Sequence, residues 1–576
     1  MAGQIYVPEN APFSPEQREW LNQFFAQHLA GAAAAEAAPS GPAVPVTILY
    51  GSQTGNAEGC AKSLAKSLNG GAYETEVFDM AAYDSSRLAK EQNLLVITST
   101  YGDGEPPDSA VDFYEWLLGD QAPKLEGVKY SVLGLGDTEY PDFCKCAADI
   151  DNRLSALGAQ RFLDRVDCDV DFDEPFAAWK NSVMDSLGGA SAVAAVEEIV
   201  EEIPFGKKRP FPAEVVENYN LNLAPSLKET HHVALSLEGS GLEYEVGDAL
   251  GVVPRNPESV VDEIIENLSF NTKREVPLPG SGESSLRDAL ITSYDIRSLN
   301  KKLLTAWQER SGSPYLRSLM EADDKEALNE FMWGRELIDL VVDYPAHFSD
   351  GEEFVSVLKK LQPRLYSIAS SPKAHPGEVH LTVAIVRYDS HGRERGGVCS
   401  TFLADRCDGL QPGVFVHVNK AFRLPESGDT PIIMVGPGTG IAPFRAFLEE
   451  RKASGAKGGN WLFFGNPHRE TDFLYEEEFS TMQKEGVLTR LDTAFSRDQE
   501  HKIYVQDRML ENGAEIWKWL QDGAYFYVCG DASRMAKDVD AALHTIAREH
   551  GGLDEAAAAE FIKELRKVKR YARDVY

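Results

Sequence analysis

Four short apolar runs, at residues 46–50, 94–98, 130–133 and Ile432–Val435, each stop at a glycine-rich turn. Runs of this length with no polar alternation predict strands buried on both faces. After the first come Ala57, Ala61, Leu64 and Leu68 at helical spacing, and after the fourth a helix begins at Ala442. Strand, glycine turn and helix in that order predict βα units of doubly wound parallel sheets, whose ligands sit at the C-terminal ends of the strands.

Between the third and fourth runs the period changes. From Phe211 it alternates, as in His232-Val-Ala-Leu-Ser-Leu, and Tyr244-Glu-Val-Gly-Asp-Ala-Leu-Gly-Val-Val-Pro starts an antiparallel barrel. Residues 257–350 turn helical, with Val260, Ile264 and Leu268 on one face, and read as an insertion that positions domains. Strands resume at 364–371 and 381–388.

Two stretches lack any period: the Ala/Pro/Gly-rich linker at 31–45 and the Ala/Val/Glu-rich hinge at 188–204. Ahead of the first, Ser14 as N-cap, Pro15 at N1 and Gln17 at N3 predict a helix to Leu29. Trp20, Leu21, Phe24 and Phe25 require that helix to pack on this chain or on another copy. The division expected is therefore 1–45 helix and linker, 46–187 doubly wound domain, 188–204 hinge, 205–428 antiparallel barrel with its helical insertion, and 429–576 Rossmann-like domain. The fold class is multidomain α/β plus β-barrel.

Charge narrows the partners. A net charge of −34 argues against nucleic acid and anionic membranes. It is uneven: residues 46–187 carry 25 acidic against 11 basic side chains, which suits either solubility or a docking face for a basic protein. The acid-rich run Asp167, Asp169, Asp171, Asp173, Glu174 reads as a solvated loop. Seven cysteines, at 60, 144, 146, 168, 399, 407 and 529, show neither zinc-site pairs nor a disulfide framework, so reduced thiols and no metal are expected. With no run of 18 apolar residues and no signal-peptide order at the start, a cytoplasmic location is expected and membrane association is not.

The turns carry the chemistry. Ser52, Gln53, Thr54, Gly55, Asn56 and Ala57 form a phosphate cradle of neutral donors at a helix start. The lack of lysine excludes a P-loop nucleotidase. The second turn offers Ser99, Thr100, Tyr101, Gly102 and Gly104, and the third Leu135, Gly136, Asp137 and Tyr140, with Phe143 and Cys144 beyond. A planar ring between Tyr101 and Tyr140, with its phosphate on the first turn, describes FMN. The turn after Ile432–Val435, with Gly438 and Thr439, is a pyrophosphate cradle. Downstream, Ser496, Arg497, Lys502 and Tyr504, followed by Gln506, gather cations and hydroxyls suited to a 2′-phosphate, which makes the dinucleotide NADPH.

At Gly136-Asp137-Thr138-Glu139-Tyr140 and Leu163-Asp164-Arg165-Val166-Asp167 the chain resembles the diflavin reductases, and among them the flavoprotein components of NADPH-dependent sulfite reductases. The resemblance extends over residues 46–576. It implies that Arg364, Leu365, Tyr366 and Ser367, together with Gly397, Val398, Cys399 and Ser400, hold FAD. It implies too that Ser367, Cys529 and Asp574 surround the hydride path near Asp531, and that the terminal Tyr576 covers the flavin. Where the family often carries Arg before the His of its first barrel strand, this chain has His231-His232, which leaves one phosphate contact open. The implied function is a relay from NADPH through FAD and FMN to a separate haem or iron–sulfur protein, foremost a sulfite reductase haemoprotein. A general diflavin reductase with another acceptor, or a flavin-binding adaptor without turnover, are the alternatives.

Overall fold

The four apolar runs become central strands of two parallel sheets. The computed structural model describes residues 44–52, 54–69, 73–101, 104–138, 142–187, 205–322 and 324–576. The expected N-terminal helix and linker up to residue 43, the hinge at 188–204, and Gln53, Gly102 and Tyr140 lie outside the described residues.

In the first sheet Tyr73–Asp79, Val44–Gly51, Asn93–Ser99 and Lys129–Leu135 lie side by side, all parallel, with short strands Gln160–Arg161 and Val166–Cys168 beyond. This 2-1-3-4-5 order is the flavodoxin-like one. Leu94, Leu95, Val96 and Ile97 are all fully buried, because helices cover both faces. One cover is the helix Asn56–Leu68, which turns Ala57, Ala61, Leu64 and Leu68 inward as their spacing predicts.

The middle of the chain forms two antiparallel sheets: Arg364–Ser367, Ala249–Val253, Gly413–His417 and Phe211–Pro212 in one, Glu378–Ala384, Thr230–Ser236 and Val215–Asn220 in the other. A single bridge between Ile368 and Leu381 joins them. The expected strand at 381–388 is in fact two elements, Glu378–Ala384 and the hairpin strand Arg387–Ser390. The helical insertion starts at Glu258–Leu268, but its inward face is Val261, Ile264 and Ile265, with Val260 and Leu268 at the margin. Val260 is followed by Val261 and Ile264 by Ile265, and the helix turns to bury Val261, Ile264 and Ile265 as the fuller apolar set.

The last sheet runs Arg490–Phe495, Asn460–Asn466, Ile432–Val435, Tyr525–Gly530 and Tyr571–Val575, all parallel. Strand order reverses beside Ile432–Val435, so the glycine turn after it stands at the topological switch point. The C-terminal strand Tyr571–Val575 forms one edge of this sheet.

Candidate functional site

The glycine turn is built by close approach. A Cβ on Gly440 would lie 2.0 Å from the Cys529 carbonyl oxygen, and one on Gly436 would lie 2.4 Å from the Gly440 oxygen. Gly438, by contrast, has a φ of +59° and nothing within 4 Å of its Cβ position. The turn is thus pressed onto the strand Tyr525–Gly530 while its Gly438–Thr439 face stays open at the start of the helix Ala442–Ser454. That is the geometry a pyrophosphate needs.

Pressing the turn onto that strand brings the predicted hydride-path residues together. The Ser367 hydroxyl donates to Asp574 Oδ2 at 2.6 Å, and Cys529 Sγ lies 3.8 Å from the same oxygen. Burial pushes the Asp574 carboxyl above its ordinary pKa, while hydrogen bonds from Ser367 and Cys529 pull the other way. The Cys529 thiol is fully buried, and that burial, reinforced by Asp574, raises it far above the usual range; it is a neutral thiol, not a nucleophile. The Tyr576 hydroxyl lies 3.1 Å from Thr439 Oγ1, and the residue is exposed.

A cavity of ≈ 940 Å³ opens beside this cluster and is shared by the flavodoxin-like unit, the barrel and the last domain. From the flavodoxin-like unit it is lined by Thr54, Asn56, Ser99, Thr100, Tyr101, Leu135, Gly136, Asp137, Phe143 and Cys144. The barrel adds Arg364 and Leu365, and the last sheet adds Asp531 and Tyr576. Among the described residues, two buried polar atoms on its wall, Ser99 Oγ and His417 Nε2, have no hydrogen-bond partner, as befits a surface shaped for a polar ligand.

Local folding shapes the flavodoxin-like loops. Gly55 takes φ +91° and donates its N–H to Ser52 Oγ at 2.9 Å, closing the cradle ahead of Asn56 and Ala57. Thr100 Oγ1 accepts from the Cys146 N–H at 3.2 Å, which ties the second loop to the third. Gly104 takes φ +98°, and Tyr101 exchanges backbone hydrogen bonds of 2.8 Å with Glu105. A Cβ on Gly136 would meet Cys144 Sγ at 2.9 Å.

In the barrel, Tyr366 packs against its core, and burial raises its phenol well above the usual range. Gly397 precedes the single-turn helix Val398–Thr401, where a Cβ would fall 2.4 Å from Ser400 Oγ. Cys399 is buried behind it. These residues form the wall behind Arg364 and do not line the cavity itself.

The basic cluster does not line this cavity. Arg497 and Lys502 are exposed, and among the described residues neither has a carboxylate partner; Asp498 instead accepts from His468 at 2.9 Å. The Ser496 and Arg497 N–H groups are held by Asn466 and Pro467 carbonyls, Tyr504 is 43 % exposed, and Gln506 donates to Asp538 at 3.3 Å. Lys228 from the barrel reaches Asn466 Oδ1 at 2.8 Å beside this cluster. Its isolated position in the sequence gave no sign of that.

Sequence reasoning also missed Lys207, Lys302, Lys359, His417 and Arg573 on the cavity wall, because none belongs to a recognisable turn. The acidic run is not simply solvated. Asp169 accepts from Lys359 at 2.7 Å and from the Thr138 N–H at 3.0 Å, and Asp171 lies 3.5 Å from Lys360. Neither histidine of the pair stands in for the family arginine. His231 bonds Asn218 at 2.7 Å, and buried His232 bonds the Tyr475 hydroxyl at 3.0 Å.

A flavodoxin-like sheet, an antiparallel barrel and a doubly wound nucleotide domain around one cavity define a two-flavin, NADPH-dependent oxidoreductase. Family models agree: Flavodoxin matches residues 48–179, FAD binding domain 203–402, and Oxidoreductase NAD-binding domain 434–541. The sulfite reductase [NADPH] flavoprotein alpha-component of Bacillus subtilis strain 168 is 46 % identical, the match covering 98 % of this chain and 99 % of the relative. Its counterparts in Shewanella oneidensis and Klebsiella pneumoniae are 45 % and 42 % identical, each match covering 98 % of this chain and 96 % of the relative. The chain belongs to the family of NADPH-dependent sulfite reductase flavoprotein alpha-components. Its cofactors are FMN, FAD and NADPH. Among the described residues, no helix is long and apolar enough to cross a membrane.

Proposed function

We propose that this chain delivers electrons from NADPH to a sulfite reductase haemoprotein, with each predicted residue in a defined role. The observation that carries the reading is the single cavity onto which the FMN loops, Arg364 and Tyr576 all open, with Ser367, Cys529 and Asp574 at its edge. The bound groups supply hydride acceptance at FAD and release of single electrons through FMN. Everything else falls to the chain.

Gly438, Thr439 and the start of the helix Ala442–Ser454 hold the NADPH pyrophosphate, while Ser496, Arg497, Lys502, Tyr504 and Gln506 take the 2′-phosphate. Asp531 borders the nicotinamide end. Ser367 keeps its proton on Oγ and points it at Asp574, and the Asp574 carboxylate would stabilise positive charge developing on a nicotinamide bound beside it. Neutral Cys529 excludes water without reacting. Tyr576 covers the flavin face and swings aside from Thr439 to admit nicotinamide.

Arg364 pairs with the FAD pyrophosphate, with Leu365 and Tyr366 along the ring and Gly397, Val398, Cys399 and Ser400 giving backbone donors. For FMN, Ser52, Thr54, Gly55, Asn56 and Ala57 would cradle the phosphate, Tyr101, backed by Ser99, Thr100 and Gly104, would flank the ring, and Leu135, Gly136, Asp137, Phe143 and Cys144 would border it from the third loop. Gln53, Gly102 and Tyr140, which the sequence pattern assigns to the same roles, lie outside the described residues. Association of copies through the segment from Ser14 to Leu29 belongs to the same reading and rests on its three aromatic residues, Trp20, Phe24 and Phe25.

The decisive test is reconstitution. The flavin-loaded chain mixed with a sirohaem-containing sulfite reductase haemoprotein should form sulfide from sulfite at the expense of NADPH. Flavin bleaching by NADPH without sulfide would move the acceptor to another haem or iron–sulfur protein. No bleaching at all would leave only a flavin-binding adaptor.

A further inference from the structure

Outside the cavity, the loop before the strand Glu378–Ala384 and the start of that strand bring His375, Glu378 and His380 together. One ligand atom from each lies within 4.8 Å of the others. His380 Nε2 and Glu378 Oε2 are 3.1 Å apart, and the two imidazole centroids 4.2 Å. A fourth group comes from the nucleotide domain: Glu449, on the helix Ala442–Ser454, bonds His375 Nε2 at 3.1 Å. Nothing in the relay described above uses these four residues.

We propose that His375, Glu378 and His380 form a binding site for a zinc-like divalent transition metal, with Glu449 orienting His375 from the second domain. Two imidazoles and one carboxylate select zinc, cobalt or nickel over the all-oxygen cations magnesium and calcium. Metal arms of about 2.0–2.1 Å in a tetrahedron set ligand atoms roughly 3.3 Å apart. The 3.1 Å spacing of His380 and Glu378 already approaches that edge. The remaining contraction falls on His375, whose side chain is 30 % exposed and sits in a loop with Pro376 and Gly377, whereas His380 is fixed at 5 %.

The electrostatic setting agrees. Arg445 is the nearby cation, and it is already engaged by Glu478 at 2.7 Å and Glu449 at 3.0 Å. Lys373 is engaged by Glu450 at 2.7 Å. Glu378, Glu449, Glu450 and Glu478 therefore outnumber the two cations around the cluster. A hydrogen bond from a ligating imidazole to a carboxylate is the usual outer support of a metal-bound histidine, and Glu449 is placed to accept it from His375. Because Glu449 belongs to the nucleotide domain, the metal would fasten that domain to the barrel behind the hydride site. The expectation of no metal came from cysteine spacing, and the His375-Pro-Gly-Glu-Val-His380 stretch drew no notice there.

The test uses the full, untagged, flavin-loaded chain stripped with chelator and titrated with Zn²⁺ against a chromophoric competitor. One equivalent should bind, and the thermal transition of the chain should rise with it. His375→Gln and Glu378→Gln, both at partly exposed positions, should each weaken binding about ten- to hundredfold and abolish the thermal shift. Co²⁺ substitution should give d–d bands to the red of the flavin absorbance, without the thiolate charge-transfer bands a cysteine site would show. Binding unchanged in both variants, thiolate bands, or no binding stronger than the competitor would each overturn the site and leave a His375–Glu449 ion pair.

Discussion

Arg573, on the terminal strand Tyr571–Val575, forms a two-pronged ion pair with Asp108 of the flavodoxin-like unit, Nε to Oδ2 at 3.2 Å and a second, shorter bond through its terminal nitrogen. The same strand carries Asp574, and the carbonyl of its Val575 accepts the Tyr101 hydroxyl at 2.9 Å. One strand therefore touches both the FMN loop and the hydride site. Removing one partner of this partly exposed pair should cost about 1–2 kcal/mol of docking, a factor of roughly 5–30 in the docked population. Asp108→Asn should leave NADPH-driven bleaching of FAD unchanged and slow the later appearance of reduced FMN. Stopped-flow absorbance separates the two, and equal slowing of both phases would show that the pair acts on the hydride site instead.

Asp574 should govern the acid side of the activity profile. Its carboxyl titrates above the ordinary carboxylate value because burial disfavours the charge. Catalysis needs the charged form, so the rate should fall as pH drops through that raised value. Asp574→Asn should be about 10²–10³-fold slower at neutral pH and flat across the same range. Stability runs the other way. A carboxyl raised on folding favours the folded state below its unfolded pKa, and that contribution fades as pH rises through the folded value. Relative to Asp574→Asn, the natural chain should thus lose thermal stability on going from acid to neutral pH.

What could be read from sequence followed the physics of local pattern. Leu94–Ile97 and Ile432–Val435 announce themselves because a strand buried on both faces must be continuously apolar, and Gly436 and Gly440 because only glycine fits the turn. Tyr101 and the loop around Gly136 followed from their place after such strands. Contacts between distant segments left no local trace: Arg573 meets Asp108 across 465 positions, Lys359 meets Asp169 across 190, and Lys228 reaches Asn466 across 238. The phase of the helix Glu258–Leu268 was ambiguous because apolar residues occupy adjacent positions, and packing alone chose Val261 and Ile265. Asp574 and Tyr576 were placed by family resemblance, since a carboxylate and a tyrosine near a chain end carry no pattern of their own.

Coenzyme choice should rest on Arg497. It is exposed and, among the described residues, lacks a carboxylate partner, so its charge is available to the 2′-phosphate. Loss of one charge-assisted contact costs about 1.5–3 kcal/mol, or ten- to hundredfold in affinity. Arg497→Ala should raise KM for NADPH by that factor with kcat unchanged, and should leave the much poorer NADH kinetics as they were. A parallel loss with NADH would place Arg497 on the shared pyrophosphate.

The glycine turn offers the most local test. A Cβ at Gly440 would sit 2.0 Å from the Cys529 carbonyl oxygen, a backbone atom in the middle strands of a sheet that cannot swing away like a side-chain tip. Gly440→Ala must therefore lift the turn off the strand Tyr525–Gly530, at a cost of about 1–3 kcal/mol in overpacking. The displacement moves Gly438 and Thr439 out of register with the helix start and draws Cys529 away from Asp574. NADPH binding and flavin bleaching should both fall steeply, while FMN and FAD remain bound and the flavodoxin-like unit melts as before. Gly438→Ala is the control. Its Cβ meets nothing within 4 Å, so only the cost of φ +59° applies, about 1 kcal/mol. It should weaken NADPH binding without disturbing Cys529. Calorimetric melting with NADP⁺ titration of the two variants separates the effects: equal losses would mean that backbone strain, not the contact with Cys529, holds the turn in place.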